Sequence, residues 1–179
     1  MDTDNDTGKF KNKYRIASAR WATWDYSSNA AYFITICTAN RAHDFGQIQN
    51  GEMKLTPLGK SAQECWHEIP AHFPFVELGQ FVVMPNHAHG VVIIAKMVET
   101  QNFASVRGPN KFGPQSQNLA SIVRGYKIGV TKFARQNNIP FAWQARYHDH
   151  VIRNAAEHER ISAYILANPQ NWNGDEFYA

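Results

Sequence analysis

The spacing of apolar and polar positions divides the chain into short segments of two different periods. Residues 31–37, AYFITIC, are rich in β-branched and aromatic side chains and predict a buried strand. Residues 45–48 and 52–55 flank Asn50-Gly51, a dipeptide that favours the tight turn of a hairpin. Thr56-Pro57 supplies an N-cap followed by proline at the first helical position, and the helix it opens is expected to run to about Ile69 and stop at Pro70. Two further strands are predicted over 76–84 and 87–95, joined tightly at Pro85-Asn86.

From 96 to 117 the chain turns polar and irregular, the pattern of a mobile loop that orders on ligand binding. Asn118 then caps a helix whose apolar positions Leu119, Ile122, Val123, Tyr126, Val130 and Phe133 keep helical spacing. Its other face carries a basic stripe, Arg124, Lys127, Lys132 and Arg135. WQARYHDHVIRN, 143–154, supplies another strand or two, and Asn154 with Glu157 three residues on starts a last helix that closes before Pro169. Residues 1–16 read as a flexible tail, 17–172 as a single domain and 173–179 as a C-terminal tail. Hairpins mixed with helices predict an α+β fold, an antiparallel sheet with helices packed mainly on one face.

A chain of 179 residues that is 44% apolar can bury a real core. The net charge of +3 keeps nucleic acid in view as a partner without requiring it. Cys37 and Cys65 are too few for a disulfide framework and are expected to be buried free thiols. The N-terminal MDTDNDTGKFKNK lacks the apolar core of a signal peptide, and no apolar run reaches membrane-spanning length, so a cytoplasmic, soluble protein is expected.

The chemistry concentrates in FVVMPNHAHGVVII, 81–94. In a strand, residues two apart share a face, so His87 and His89 project side by side with Val91 and Ile93, while Ala88, Gly90, Val92 and Ile94 take the other face. Apolar residues on both faces predict a central, covered strand. Such a histidine pair forms two legs of a divalent metal site, or it is simply hydrogen-bonded at a strand end; spacing alone leaves both open. In the last helix Tyr164 and Asn168 are four apart and share a face with Ile161 and Ile165. Taken alone they are an ordinary core-edge tyrosine and a helix-end asparagine. Taken with the histidines they make three neutral donors and one nucleophile. With no carboxylate to neutralise it, a Mg²⁺ or Mn²⁺ would present nearly its full charge to a phosphate within reach of the tyrosine. Imidazole donors suit Mn²⁺ better than Mg²⁺.

HAH fits the His-hydrophobic-His signature called HUH. AYFITICTANR, GEMKLTPLGK, FPFVELGQFVVMPNHAHGVVII, NLASIVRGYKIGVTKF and YHDHVIRN followed by ISAYILANPQNW together resemble the REP-associated tyrosine transposases, across residues 24–172. These are relatives of the single-tyrosine HUH transposases of bacterial insertion sequences. The resemblance implies a ferredoxin-like core that cuts single-stranded DNA beside a hairpin. Tyrosine attacks the phosphate, leaving a 5′-phosphotyrosine and a free 3′-OH that later rejoins strands without any nucleotide cofactor. It makes Tyr164 the nucleophile and His87, His89 and Asn168 the ligands of Mg²⁺ or Mn²⁺. Insertion-sequence relatives often carry Gln where Asn168 stands, and the shorter side chain would need its helix closer to the metal. His150 falls near the site on the same grounds, either supporting it or as a structural hydrogen-bonding group. DNA contacts are expected from Arg107 and Lys111 in the loop, from Arg124, Lys127, Lys132 and Arg135, and from Arg146 and Arg153 beside the site. A monomer is expected, as in the REP-associated branch, although insertion-sequence relatives form dimers. Two alternatives stand beside this reading: a non-catalytic hairpin-DNA binder, which would have no use for both histidines and Tyr164, and an unrelated metal-dependent hydrolase, which would not need Tyr164.

Overall fold

The structure, a computed structural model, describes residues 24–97, 116–175 and 177–178. The predicted tail 1–16 and most of the predicted loop, with Arg107 and Lys111, lie outside these residues. In chain order the elements are β1 (Ala30–Cys37), β2 (Gly46–Gln49), β3 (Glu52–Leu55), α1 (Pro57–His67), α2 (Ile69–His72), β4 (Val76–Val83), β5 (His87–Ile94), α3 (Leu119–Gln136), β6 (His148–Ile152) and α4 (Ala155–Ala167). β1, β4, β5 and β6 form one antiparallel sheet in the order β4-β5-β1-β6, and β2 and β3 form a separate hairpin. This is the expected α+β architecture.

Local chemistry sets the boundaries. Asn50 and Gly51 both adopt positive φ, +54° and +76°, which is the twist a two-residue hairpin needs. Thr56 caps α1 by accepting from the Gly59 N–H at 3.1 Å. Asn118 and Ser121 close a reciprocal capping box at the start of α3. Asn154 accepts from the Glu157 N–H to open α4.

Two boundaries differ from expectation. Phe45 does not join the hairpin; β2 starts at Gly46, and Phe45 is fully buried in the core instead. Pro70 does not stop helical structure: α1 ends at His67, and Pro70 lies in the first turn of α2, where its missing N–H leaves no hydrogen bond unmade. Of residues 143–154 only β6 is a strand, and Trp143 makes a single bridge to Thr38. Cys37 is buried, whereas Cys65 is only half-buried.

β5 lies between β4 and β1, and helices cover both its faces, as its apolar run predicts. On one face Tyr32, Ile34, Ile36, Val92 and Ile94 pack with Leu58, Ala62 and Trp66 of α1 and Ile122, Tyr126 and Val130 of α3. On the other, Val91, Ile93 and Phe33 meet Ile161 and Ile165 of α4. α4 is otherwise largely exposed, and the fully buried Ile165 anchors it; burying such a side chain contributes roughly 1.5–3 kcal/mol. That anchor lies between Tyr164 and Asn168 in register and places both at the end of the sheet where His87 and His89 project.

Candidate active site and metal centre

β1 and β5 pair so that Cys37 opposes His87 and Thr35 opposes His89. Both imidazoles are buried, and their Nε2 atoms stand 3.0 Å apart. A chain of hydrogen bonds orients both rings and places the His87 proton. The Asn86 amide donates to the Phe177 carbonyl at 2.9 Å, which turns Asn86 Oδ1 toward His87 Nδ1 at 2.8 Å. His87 Nδ1 therefore donates, and His87 Nε2 is left as an acceptor for the N–H of His89 Nε2. His89 Nδ1 in turn accepts from the Thr35 hydroxyl at 2.8 Å. A hydroxyl both donates and accepts, so Thr35 also suits the other tautomer of His89, in which both Nε2 lone pairs are free.

Burial sets the charge state. It holds the His87 pKa down to about 2, helped by the neighbouring His89 and by Arg41. It holds His89 down to about 4, with Asp175 pulling the other way. Both rings are neutral near pH 7, the form in which imidazole binds metal.

α4 brings the other groups. The Tyr164 hydroxyl lies 3.3 Å from His89 Nε2 and 3.5 Å from Asp175 Oδ2, and its ring meets Phe33 edge-on. Tyr164 is 42% exposed. Asn168, the residue that ends α4, is buried; its Nδ2 donates to Asp175 Oδ2 at 2.8 Å, while its Oδ1 is buried with no hydrogen-bond partner. Phe33, Thr35, His89, Tyr164, Asn168 and Asp175 line one cavity of about 450 Å³.

Asp175 corrects the expectation of a carboxylate-free site. It follows a short 3-10 turn, Trp172–Gly174, and its Oδ1 accepts from the Phe177 N–H at 2.6 Å. Residues 173–179 were expected to be a tail, yet Asp175 faces the histidines, and the buried Phe177 ring lies 4.9 Å from that of His87. Sequence reasoning missed Asp175, Asn86 and Thr35. For Asn86 the signal was adjacency, since it precedes the first histidine, whereas Thr35 comes beside His89 only through the pairing of β1 with β5. Asp175 had no periodicity to give it away.

The donor set fits a divalent ion. Ligand atoms of His87, His89 and Asp175 all lie within 4.8 Å of one another. Two imidazole nitrogens adjacent on one ion at about 2.1 Å would stand about 3 Å apart, the spacing already present. An unpartnered buried carboxamide oxygen costs free energy in the fold, and a cation removes that cost. His87, His89 and Asp175 could hold a metal ion, with Asn168 Oδ1 as a further donor.

No family model matches the chain. It is 40% identical over 167 residues to an uncharacterized protein of Haemophilus influenzae, covering 90% of this chain and 92% of that protein. The chain belongs to the same family as that protein. A solved REP-associated tyrosine transposase bound to a REP hairpin superposes on 90% of this chain and 77% of its own, with a TM-score of 0.60 at 19% identity. The two chains share one fold.

Within this transposase-like fold the remaining expected residues fall into different places. His150 does not reach the histidine pair; it bonds Glu157 Oε1 at 2.9 Å and ties β6 to the first turn of α4. Arg153 donates its backbone N–H to the same carboxylate. Lys127 is half-buried, and its ammonium donates to the carbonyls of Gln144 and Arg146 at 2.9 and 2.7 Å, so it braces the approach to β6 rather than facing solvent. Burial lowers its pKa to about 8. Lys132 and Arg135 are exposed on α3, and with Arg124 and Arg146 they line one cavity. Among the described residues no helix is long and apolar enough to cross a membrane.

Proposed function

We propose that this protein is a metal-dependent, single-stranded DNA nicking and joining enzyme of the transposase type, with Tyr164 as its nucleophile. One observation carries the reading. Two neutral imidazoles with converging nitrogens, a buried unpartnered Asn168 oxygen and the hydroxyl of a part-exposed tyrosine 3.3 Å from His89 share one end of the fold. The fold shared with a transposase bound to hairpin DNA supports DNA as the substrate.

His87, His89, Asp175 and Asn168 would hold the Mg²⁺ or Mn²⁺. When bound, it polarises the scissile phosphate and offsets the charge that builds up on its oxygens. The chain's own residues do the rest. Thr35 and Asn86 fix the ring orientations of His89 and His87, and Phe33 backs both His89 and Tyr164. Tyr164 Oη attacks phosphorus, the bond from phosphorus to the 3′ oxygen breaks, and the phenol's proton balances the departing 3′ oxygen, which leaves as a hydroxyl. The enzyme keeps a 5′-phosphotyrosine. Attack by a 3′-OH on that ester reverses each change, so strands rejoin with no net bond energy spent.

The test is a labelled hairpin oligonucleotide with single-stranded flanks, incubated with protein and Mn²⁺ and resolved on a denaturing gel. A covalent adduct that disappears in Tyr164→Phe supports the proposal. Cleavage that survives Tyr164→Phe identifies a metal-dependent hydrolase instead, and binding without cleavage under varied metals and sequences identifies a hairpin-binding protein.

A further inference from the structure

The edge of the sheet loses its regular register close to the candidate metal centre. β6 pairs with β1 as far as His148 opposite Thr35, and the next bridge between the two stretches is Trp143 opposite Thr38. Between these points Ile36 and Cys37 of β1 face Gln144, Ala145, Arg146 and Tyr147, four residues against two. Within this bulge Arg146 adopts a left-handed conformation, φ +70°. Carbonyls at a bulge leave the β ladder and need a donor from elsewhere. Those of Gln144 and Arg146 share one, the ammonium of Lys127 on α3, at 2.9 and 2.7 Å. The lysine is tied to the same segment a second time, because its backbone carbonyl accepts from the Trp143 indole at 3.1 Å.

A run of hydrogen bonds leads from this clip to His87. The Gln144 N–H donates to the Cys37 carbonyl at 2.9 Å, and the Ala39 N–H donates to the Ala142 carbonyl at 2.8 Å, so the end of β1 is held on both sides of Thr38. The Thr38 N–H donates to the Asn86 carbonyl at 2.9 Å. Asn86 Oδ1 in turn accepts from His87 Nδ1, and Cys37 is the register partner of His87. The ring is thus oriented by backbone whose far side is pinned to α3 by one ammonium.

We propose that Lys127 is a positioning residue for His87 of the candidate metal centre: by supplying donors to both bulge carbonyls, it keeps the end of β1 in place against Asn86 and His87. The inference rests on the metal-dependent reading given above and adds a support that lies outside the set of candidate ligands. An ammonium suits the task, because three N–H donors on one flexible stem can serve two carbonyls at once. A side chain of the same length without donors would leave both carbonyls to water, and the bulge would then be free to open. The loss would reach the site through Cys37 and Thr38, the two residues of β1 that the segment holds against His87 and Asn86.

The test uses the full chain with Lys127→Met, which keeps the apolar stem and loses the donors, and Lys127→Arg, which restores N–H donors. Electron paramagnetic resonance of free Mn²⁺ should show about tenfold weaker binding in Lys127→Met, the lower end of the range for groups that orient metal ligands. Lys127→Arg should recover most of that loss. Ring-nitrogen NMR of the metal-free, histidine-labelled protein should show the His87 Nδ1–H signal shifted in Lys127→Met and returned in Lys127→Arg. Should Lys127→Met fail to fold, Lys127→Gln, whose amide stops one atom short of the ammonium position, takes its place with the same expected direction. Val76→Ala, a core truncation beside Ile94 at the opposite end of the sheet, is the control for stability; it should lower the urea midpoint and leave both readouts as in wild type. Unchanged Mn²⁺ affinity in the folded Lys127 variant overturns the proposal, as does an equal loss in Val76→Ala. The outcome is separable from the reaction proposed above. A wild type that forms no covalent adduct but binds Mn²⁺ in this Lys127-dependent way keeps the positioning role and removes the strand-transfer chemistry. A wild type that binds no Mn²⁺ removes the metal reading, and the His87 signal then decides on its own: unmoved in Lys127→Met, it overturns the positioning role.

Discussion

Asp175 sets how much charge an ion held at the histidine pair would keep. Two imidazoles and a carboxamide would leave a divalent ion its full charge, whereas one carboxylate halves it and adds an anionic oxygen donor. The carboxylate is held from both sides, by the Asn168 amide at 2.8 Å and the Phe177 N–H at 2.6 Å. Asp175→Asn should therefore weaken Mn²⁺ binding about tenfold or more, within the range for altered metal-site surroundings; electron paramagnetic resonance titration of free Mn²⁺ reads this directly. Unchanged affinity would leave Asp175 as a group that only orients Asn168. His87 and His89 are legible in the sequence because a strand repeats every two residues, and Tyr164 and Asn168 because a helix returns after four. Asp175 belongs to an irregular segment, where spacing along the chain says nothing about direction in space, and only the fold reveals its place beside the histidines.

At the scale of elements, β5 shows how tightly the site's supporting strand is packed from behind. A methyl group added at Gly90 would lie 2.3 Å from Trp66 Cζ2 and 2.9 Å from Phe81 Cδ2. Those two rings stack with centroids 4.3 Å apart and lock α1 against β4 and β5. Gly90→Ala is expected to destabilise the fold by roughly 1–3 kcal/mol through overpacking, measured as a shift in the urea midpoint at constant slope. It should also disturb His89, its neighbour along β5. An unshifted midpoint would mean that Trp66 swings aside freely. Elements whose ends carry their own chemistry are readable from the sequence: the Asn50-Gly51 turn, the Thr56 and Asn118 caps and the unbroken apolar run of β5. How side chains are shared between elements is not. Lys127 belongs to a basic stripe by sequence, yet its ammonium is spent on two carbonyls of the segment before β6. Pro70 looks like a terminator, but at the first turn of a helix a proline is harmless.

Across the whole molecule, the burial that keeps the histidines neutral also ties folding stability to pH. In the unfolded chain each imidazole takes up its proton near pH 6.5. In the fold, burial holds His89 to about 4 and His87 to about 2. Between these limits the unfolded chain binds more protons than the folded one, so stability rises with pH and falls as the solution is acidified. The contribution is complete above about pH 6.5. It is lost from both rings down to about pH 4, and from His87 alone below that. Each ring accounts for roughly 1.4 kcal/mol per pH unit while it is protonated only in the unfolded chain. His89→Gln removes one of the two titrating groups. Urea unfolding of wild type and His89→Gln at pH 7.0, 5.5 and 4.5 should therefore show the variant losing stability less steeply, by about 1 kcal/mol per pH unit averaged over that range. Parallel pH profiles would mean that His89 takes up its proton inside the fold as readily as outside it, and the cavity around it would then have to be wetter than its burial implies.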